Sequence, residues 1–190
     1  MYNDILYYWY DMGGISMKVL SLFDGISAGR VALERAGIPV EAYYASEIDK
    51  YAIQVSKKNY PDIIQLGDVR DIKGCDLPKI DLLIGGSPCQ GFSFSGLQLN
   101  FEDERSKLFF EYVRILKEIN PTYFLLENVP MKKEYQDVIS EQLGVEPLLI
   151  DSRLVSGQQR RRLYWTNIPN ISQPEDMNIL LKDIIEEGCV

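Results

Sequence analysis

The sequence predicts an α/β fold in which a mostly parallel sheet is covered by helices on both faces. Three observations lead there. From Lys18 onward, short apolar runs alternate with helical stretches. A glycine-rich turn sits where the first run gives way to the first helix. The chain has 190 residues, 46% of them apolar and 25% charged, which suits one domain with a sizeable core.

The elements follow in order. A first buried strand covers 19–23, and further strands fall at 42–46, 63–66, 81–84 and 123–126. Helices are expected at 29–36, 49–59 and 106–119. The last carries Leu108, Phe109, Tyr112, Val113, Leu116 and Ile119 on one broad face, as a core-facing helix needs. Asn120-Pro121 stops it. Segments 147–155 and 163–168 read as two closing strands around a polar loop, bringing the sheet to seven. Residues 178–187 read as a final amphipathic helix. Residues 1–16 differ from the rest: Tyr2, Tyr7, Tyr8, Trp9 and Tyr10 precede Gly13-Gly14, with no cationic residue. The missing positive region argues against a signal peptide. Met17 is the expected true or alternative initiator, 1–16 an N-terminal extension without order of its own, and 17–190 the structured domain.

Composition excludes several chemistries. The chain has no His, so there is no Ser-His-Asp triad, no Cys-His pair and no His-ligated metal. Cys75, Cys89 and Cys189 lie far apart without a CxxC, so no metal site is expected. Their odd number argues for a reducing cytoplasm, and no apolar run reaches the length of a membrane span. The net charge is −8, from 20 basic and 28 acidic residues. Such a chain does not grip nucleic acid by bulk electrostatics, so any contact requires a local basic patch or a basic module from elsewhere. Lys132-Lys133 and Arg160-Arg161-Arg162 are the dense basic clusters.

Five segments carry the chemistry. In Phe23-Asp24-Gly25-Ile26-Ser27-Ala28-Gly29, two glycines let backbone approach a ligand and the helix start offers free N–H groups. Glu47 and Asp49 end the second strand, where an acid meets ribose hydroxyls. The spacing is not GxGxxG and Asp24 repels phosphate, so a cationic nucleoside fits better, with the sulfonium of S-adenosylmethionine the natural choice. A plain core turn is the alternative. Asp68 and Val69 follow the third strand, placed for an adenine amino group and an apolar contact, or as an ordinary turn cap. Gly85-Gly86-Ser87-Pro88-Cys89-Gln90-Gly91 sets a thiol at the carboxyl end of the fourth strand, where it is poised for nucleophilic attack. With no His, its thiolate depends on local N–H groups and basic neighbours. Glu127-Asn128 ends the fifth strand, putting an acid at the same edge as Cys89. Gln158-Gln159-Arg160-Arg161-Arg162 offers guanidinium groups for phosphate or a base carbonyl, or else a solvated turn.

The ordered set FDGISAG, SEID, GDVR, GGSPCQGFS, LLENV and QQRRRLYW resembles the cytosine-5 DNA methyltransferase family from about Met17 to Asn170, and is similar to its branch of bacterial and phage enzymes and animal de novo methyltransferases. The resemblance implies a class I S-adenosylmethionine-dependent methyltransferase (Rossmann-like) sheet, parallel except for one reversed strand. It implies that Cys89 attacks C6 of a cytosine flipped out of duplex DNA. Pro88 then shapes the nucleophile loop, Glu127 holds the ring N3 and exocyclic amine, Arg162 contacts O2 with Arg160 beside it, and Asn128 holds the loop. For the cofactor, S-adenosyl-L-methionine (product S-adenosyl-L-homocysteine), it implies Phe23, Asp24, Gly25 and Ile26 in the first motif. Glu47 takes the ribose, Ile48 meets the adenine face, Asp68 and Val69 meet its edge, and Leu108 packs near the methionine part. The location implied is cytoplasmic and nucleoid-associated.

The family normally continues into a target-recognition region and a final helix that completes the cofactor pocket. The chain reads as C-terminally truncated relative to that pattern, which also accounts for the acidic balance. Weak cofactor affinity is therefore expected, and a second chain supplying the missing part, or a homo-oligomer, is an expected partner. The other readings are a catalytically incomplete fragment or regulatory homologue, an RNA cytosine methyltransferase, and a nicotinamide-dependent oxidoreductase. The RNA reading lacks the CFT segment of tRNA-directed relatives. The oxidoreductase reading lacks the glycine fingerprint.

Overall fold

The computed structural model describes residues 16–88 and 104–185. The N-terminal extension up to residue 15, and Cys89 with the rest of its loop to 103, lie outside the described residues, as does Cys189. Seven strands form one sheet. In chain order they are β1 Met17–Leu22, β2 Val40–Ser46, β3 Ile64–Gln65, β4 Leu82–Gly85, β5 Tyr123–Asn128, β6 Leu148–Asp151 and β7 Arg161–Thr166. Across the sheet the order is β3-β2-β1-β4-β5-β7-β6. β1 through β5 pair in parallel, whereas β7 runs antiparallel to both β5 and β6. The chain leaves β1 toward β2 on one side and returns to β4 on the other. The crevice beyond the carboxyl ends of β1 and β4 is therefore a topological switch point.

The period of two along each strand divides the core. Val19, Tyr43, Ala45 and Leu82 face one side with Leu33 of helix α1 (Ala28–Arg35). Leu20, Leu22, Leu83 and Leu126 face the other, against Phe109, Tyr112 and Ile115 of α3 (Glu104–Ile119) and Tyr135, Ile139 and Leu143 of α4 (Lys133–Leu143). Both faces are thus covered, as parallel strands require. Helix α2 (Lys50–Asn59) begins at Asp49, whose carboxylate accepts from the N–H groups of Tyr51 and Ala52. Gly144, at φ 72°, closes α4, with its N–H donating to Ser140 O.

The structure corrects the sequence reading at five places, the first being the expected strand at 147–155, which is strand only over β6 before a 3-10 turn at Ser152–Leu154. Helix α4 was not anticipated, because its buried stripe is thin: Tyr135, Ile139 and Leu143 stand four residues apart among polar neighbours. The expected helix at 178–187 is not formed over its described part, which holds a single 3-10 turn, Leu181–Asp183. Leu180, Leu181, Ile184 and Ile185 are all more than half exposed there, so no apolar surface supports a helix. β3 shrinks to two residues at the sheet edge, pairing only at Tyr44 and Ala45 of β2. β5 runs two residues further than expected and carries Glu127 and Asn128 within the strand.

Ile139 is fully buried between α4 and the sheet. Ile139→Ala should lower unfolding stability by about 2–5 kcal/mol in urea titration. An unchanged midpoint would mean that α4 does not pack as described.

Candidate active site

The loop after β1 is built against backbone strain. Phe23, Gly25 and Ser27 all have positive φ, at 57°, 60° and 66°. Left-handed backbone at the two non-glycine residues costs on the order of 1–3 kcal/mol each, so the surroundings must hold it. They do so with buried polar groups. Asp24, 8% exposed, accepts from Tyr43 OH at 2.8 Å and from Ser27 Oγ at 2.5 Å, and its own N–H donates to Ser46 O. Ser27 Oγ lies 2.6 Å from Ser56 Oγ of α2. Burial, and then the Asp24 charge, push the Tyr43 hydroxyl far above the usual phenol range, so it stays a donor.

Glu47 locks the same loop from the side. Its Oε2 accepts from Gly25 N–H at 2.7 Å, and its Oε1 accepts from the N–H groups of Ile48 and Asp49 at 2.8 Å each. Ser46 Oγ donates to Gly67 O and so ties in the end of β3. The loops after β1, β2 and β3 therefore form one continuous rim. Ile26 and Ile48 are exposed on it, at 57% and 72%. A Cβ built at Gly25 or Gly67, both at positive φ, would meet nothing within 4 Å. A cationic nucleoside fits this rim: open space over two glycines, exposed apolar side chains for a purine, and a carboxylate at the end of β2 for ribose hydroxyls.

Other expected cofactor residues take different positions. Val69 is 4% exposed and belongs to the core. Asp68 accepts from Arg70 Nε at 3.0 and 3.1 Å and from Arg70 N–H. Those hydrogen bonds hold its carboxyl below the ordinary value of 3.8. Phe23 and Leu108 are half-buried against the larger core cluster. A groove between α1 and α2 is lined by Ile26, Val31, Ala32 and Val55 among others, so Ile26 borders both this groove and the rim.

The second half of the site comes from strand reversal. Because β7 is antiparallel to β5, its first residues lie at the edge where β5 ends, and Glu127 sits opposite Tyr164. Arg162, two residues before Tyr164, projects from the same face. Its Nε lies 2.7 Å from Glu127 Oε1. The contact is ionic, since the N–H is not aligned for a hydrogen bond, while Nη1 donates to Arg161 O at 2.7 Å. Arg160 and Arg161 stay exposed. A Cβ at Gly86 would come within 3.1 Å of Glu127 Oε2, so glycine there gives the carboxylate its room. Asn128, 2% exposed, donates from Nδ2 to Ser87 O and Oγ at 3.4 Å, tying β5 to the loop that continues through half-buried Pro88. Glu127, Asn128, Arg162, Ser87 and Pro88 thus meet at one edge. Sequence reading passed over Tyr43 and Ser56, and named Gly86 only as part of the nucleophile loop. Their only signals were alternation in β2, a small residue in α2 and a glycine pair after β4.

This architecture, a mostly parallel seven-stranded sheet with one reversed strand and helices on both faces, is that of a class I S-adenosylmethionine-dependent methyltransferase. The family model for C-5 cytosine-specific DNA methylases matches residues 17–175, and the chain belongs to that family. It is 38% identical over 188 residues to the orphan methyltransferase M.SPRI of Bacillus phage SPR, covering 90% of this chain and 43% of that protein. It is 35% identical over 198 residues to the type II methyltransferase M.NgoBV of Neisseria gonorrhoeae, covering 90% of this chain and 47% of the relative. The chain therefore spans about half the length of these relatives. Among solved structures, Spodoptera frugiperda DNMT2 superposes with a TM-score of 0.71 at 25% identity, over 90% of this chain and 60% of that one. A DNA modification methyltransferase from an E. coli prophage superposes with a TM-score of 0.67 at 28% identity, over 80% of this chain and 46% of that one.

The Asp68–Arg70 pair has a defined pH signature. The folded carboxyl titrates below its unfolded value, so the pair's contribution is complete above about pH 4 and fades as pH falls through the folded value. Arg70→Gln should move the Asp68 carboxyl midpoint, followed by NMR, upward toward 3.8. An unmoved midpoint would remove Arg70 as the cause.

Proposed function

We propose that this chain is the catalytic core of an enzyme that methylates C5 of cytosine in DNA. The observation that carries the reading is the meeting of Glu127 and Arg162, at 2.7 Å, beside the Ser87-Pro88 segment that leads to Cys89. S-adenosyl-L-methionine, when bound, supplies a methyl group made electrophilic by its sulfonium, and S-adenosyl-L-homocysteine is what remains. The Gly25 and Gly67 turns, Ile26, Ile48, Glu47 and the Asp68-Val69 backbone form its seat, with Phe23 and Leu108 behind.

The chain's own residues perform the rest. The target base leaves the stack, because C5 and C6 are shielded within the duplex. The Cys89 thiolate forms a bond to C6, and the C5–C6 π electrons shift to C5, which becomes the nucleophile for the methyl group. Glu127 holds N3 and the exocyclic amine, supporting the charge that moves onto the ring. Arg162 turns from Glu127 toward the O2 carbonyl, and Arg160 and Arg161 face phosphate. Loss of the C5 proton to base returns an electron pair to the ring, and the C6–sulfur bond breaks to release Cys89. Pro88 and Asn128 hold the nucleophile loop against β5. The reading places the protein in the cytoplasm, on DNA. Among the described residues no helix is long and apolar enough to cross a membrane.

A partner accompanies this reading. The chain carries a charge of −8, and the relatives are about twice its length. Met177, Leu180, Leu181 and Ile184 are exposed beside the β6–β7 loop, where Met177 N–H donates to Leu154 O. A second polypeptide with a basic DNA-facing surface, or a second copy of this chain, would cover that cluster.

Transfer of labelled methyl from S-adenosylmethionine to unmethylated mixed-sequence duplex DNA tests the reading. Signal should vanish in Cys89→Ala and fall at least about 100-fold in Glu127→Gln, with circular dichroism unchanged. Methylation by Cys89→Ala would remove the nucleophile assignment. Transfer by neither protein would favour the incomplete-core reading. If Arg160 and Arg161 make the phosphate contacts, the logarithm of DNA affinity should fall with log salt at a slope of about −2. A flat dependence would exclude them.

A further inference from the structure

We propose that the buried residues Tyr43 and Ser56 are positioning residues that hold the nucleoside-binding loop in its strained form through Asp24 and Ser27. The inference rests on the cofactor reading of that loop. It deepens that reading by moving the role of Asp24 from ligand contact to loop support.

The hydrogen bonds run in one direction. Ser27 has a single hydroxyl proton, and it goes to Asp24 Oδ2. Ser56 must therefore be the donor in the 2.6 Å contact with Ser27 Oγ. Gln65 Nε2, at 3.4 Å, donates in turn to Ser56 Oγ. Tyr43 donates to the other carboxylate oxygen. Every proton in the chain points toward the charge of Asp24, as a cooperative buried network requires. Ser27 and Ser56 are fully buried and Tyr43 is 1% exposed, so water cannot replace a lost partner without rearrangement.

The network spans three elements: β2 through Tyr43, α2 through Ser56, and the loop itself. What it holds is the left-handed backbone at Phe23, Gly25 and Ser27. That backbone turns Gly25 N–H onto Glu47 Oε2, at 2.7 Å, and so sets the carboxylate expected to meet ribose. A Cβ at Gly29 would collide first with Ile84 Cδ1 of β4 and would also stand 3.0 Å from Tyr43 OH, so glycine there leaves room for both. Releasing Tyr43 or Ser56 lets the loop relax toward ordinary backbone. Binding then has to restore the strained form and loses affinity by that amount.

Titration calorimetry with S-adenosyl-L-homocysteine on the full chain tests this without methyl transfer. Tyr43→Phe should weaken binding about tenfold, and Ser56→Ala several-fold. Ser140→Ala is the control, since it removes a buried bond of similar kind from Trp165 Nε1, at 3.0 Å, far from the loop. It should lower the thermal midpoint comparably and leave affinity unchanged. If Tyr43→Phe and Ser56→Ala both bind within twofold of wild type, the positioning role is wrong while the cofactor reading stands. Should Tyr43→Phe fail to fold, Ser56→Ala alone decides. If the wild-type chain shows no binding up to millimolar ligand, the cofactor reading fails and this inference with it.

Discussion

The antiparallel pairing of β7 with β5 is the contact on which the site depends. Five parallel strands alone would end in loops carrying a rim for a nucleoside and an acid at Glu127, with no cation beside it. Reversing β7 brings the start of that strand to the edge where the others finish, and Glu127 comes to face Tyr164 in register. Arg162 then reaches Glu127 from the same face of the sheet. A slip of one residue would send Arg162 to the opposite face. The buried Trp165 on the neighbouring register position, its Nε1 donating to Ser140 of α4, opposes such a slip. Helix α4 is therefore part of what keeps two charged residues aligned some distance away.

The two halves of the site obey different physics. The β1 rim keeps a strained backbone in place with buried hydrogen bonds that converge on Asp24. Its buried polar groups point inward to Asp24, while Ile26 and Ile48 are exposed on its outer side. The β5–β7 edge has charged side chains under partial exposure and glycine next to them, so the groups there are free to exchange partners. Glu127 and Arg162 satisfy each other in this structure. In the proposed reaction each turns to the base, whose ring N3, amine and O2 take the place of the partner that each charged group gives up.

Much of this was legible in the chain. The alternation of apolar runs and helices located seven strands and three of the four helices, because burial on two faces imposes apolar residues at those positions whatever the context. The order of the motifs pointed to the family, and the family match over 17–175 agrees with it. Other features were not legible. Helix α4 has one buried residue per turn, too thin a stripe to stand out. The segment at 178–187 has the apolar spacing of a helix, yet within its described residues it lies beside the β6–β7 loop with its apolar side chains more than half exposed, and forms a single 3-10 turn. The local pattern is the same whether or not a partner surface exists.

The sequence by itself determined the class of fold, the identity of the chemical groups and the strand ends at which they fall, since these depend on local periodicity and on residue type. Only the tertiary structure decided which groups meet and which are already engaged. Asp24 reads as a ligand-facing acid in the chain and is a buried anchor in the fold, because Tyr43 and Ser56, 19 and 32 residues away, close around it and Ser27. Val69 reads as an apolar contact and belongs to the core. Such outcomes depend on packing between segments distant in sequence, and no single stretch of chain records them.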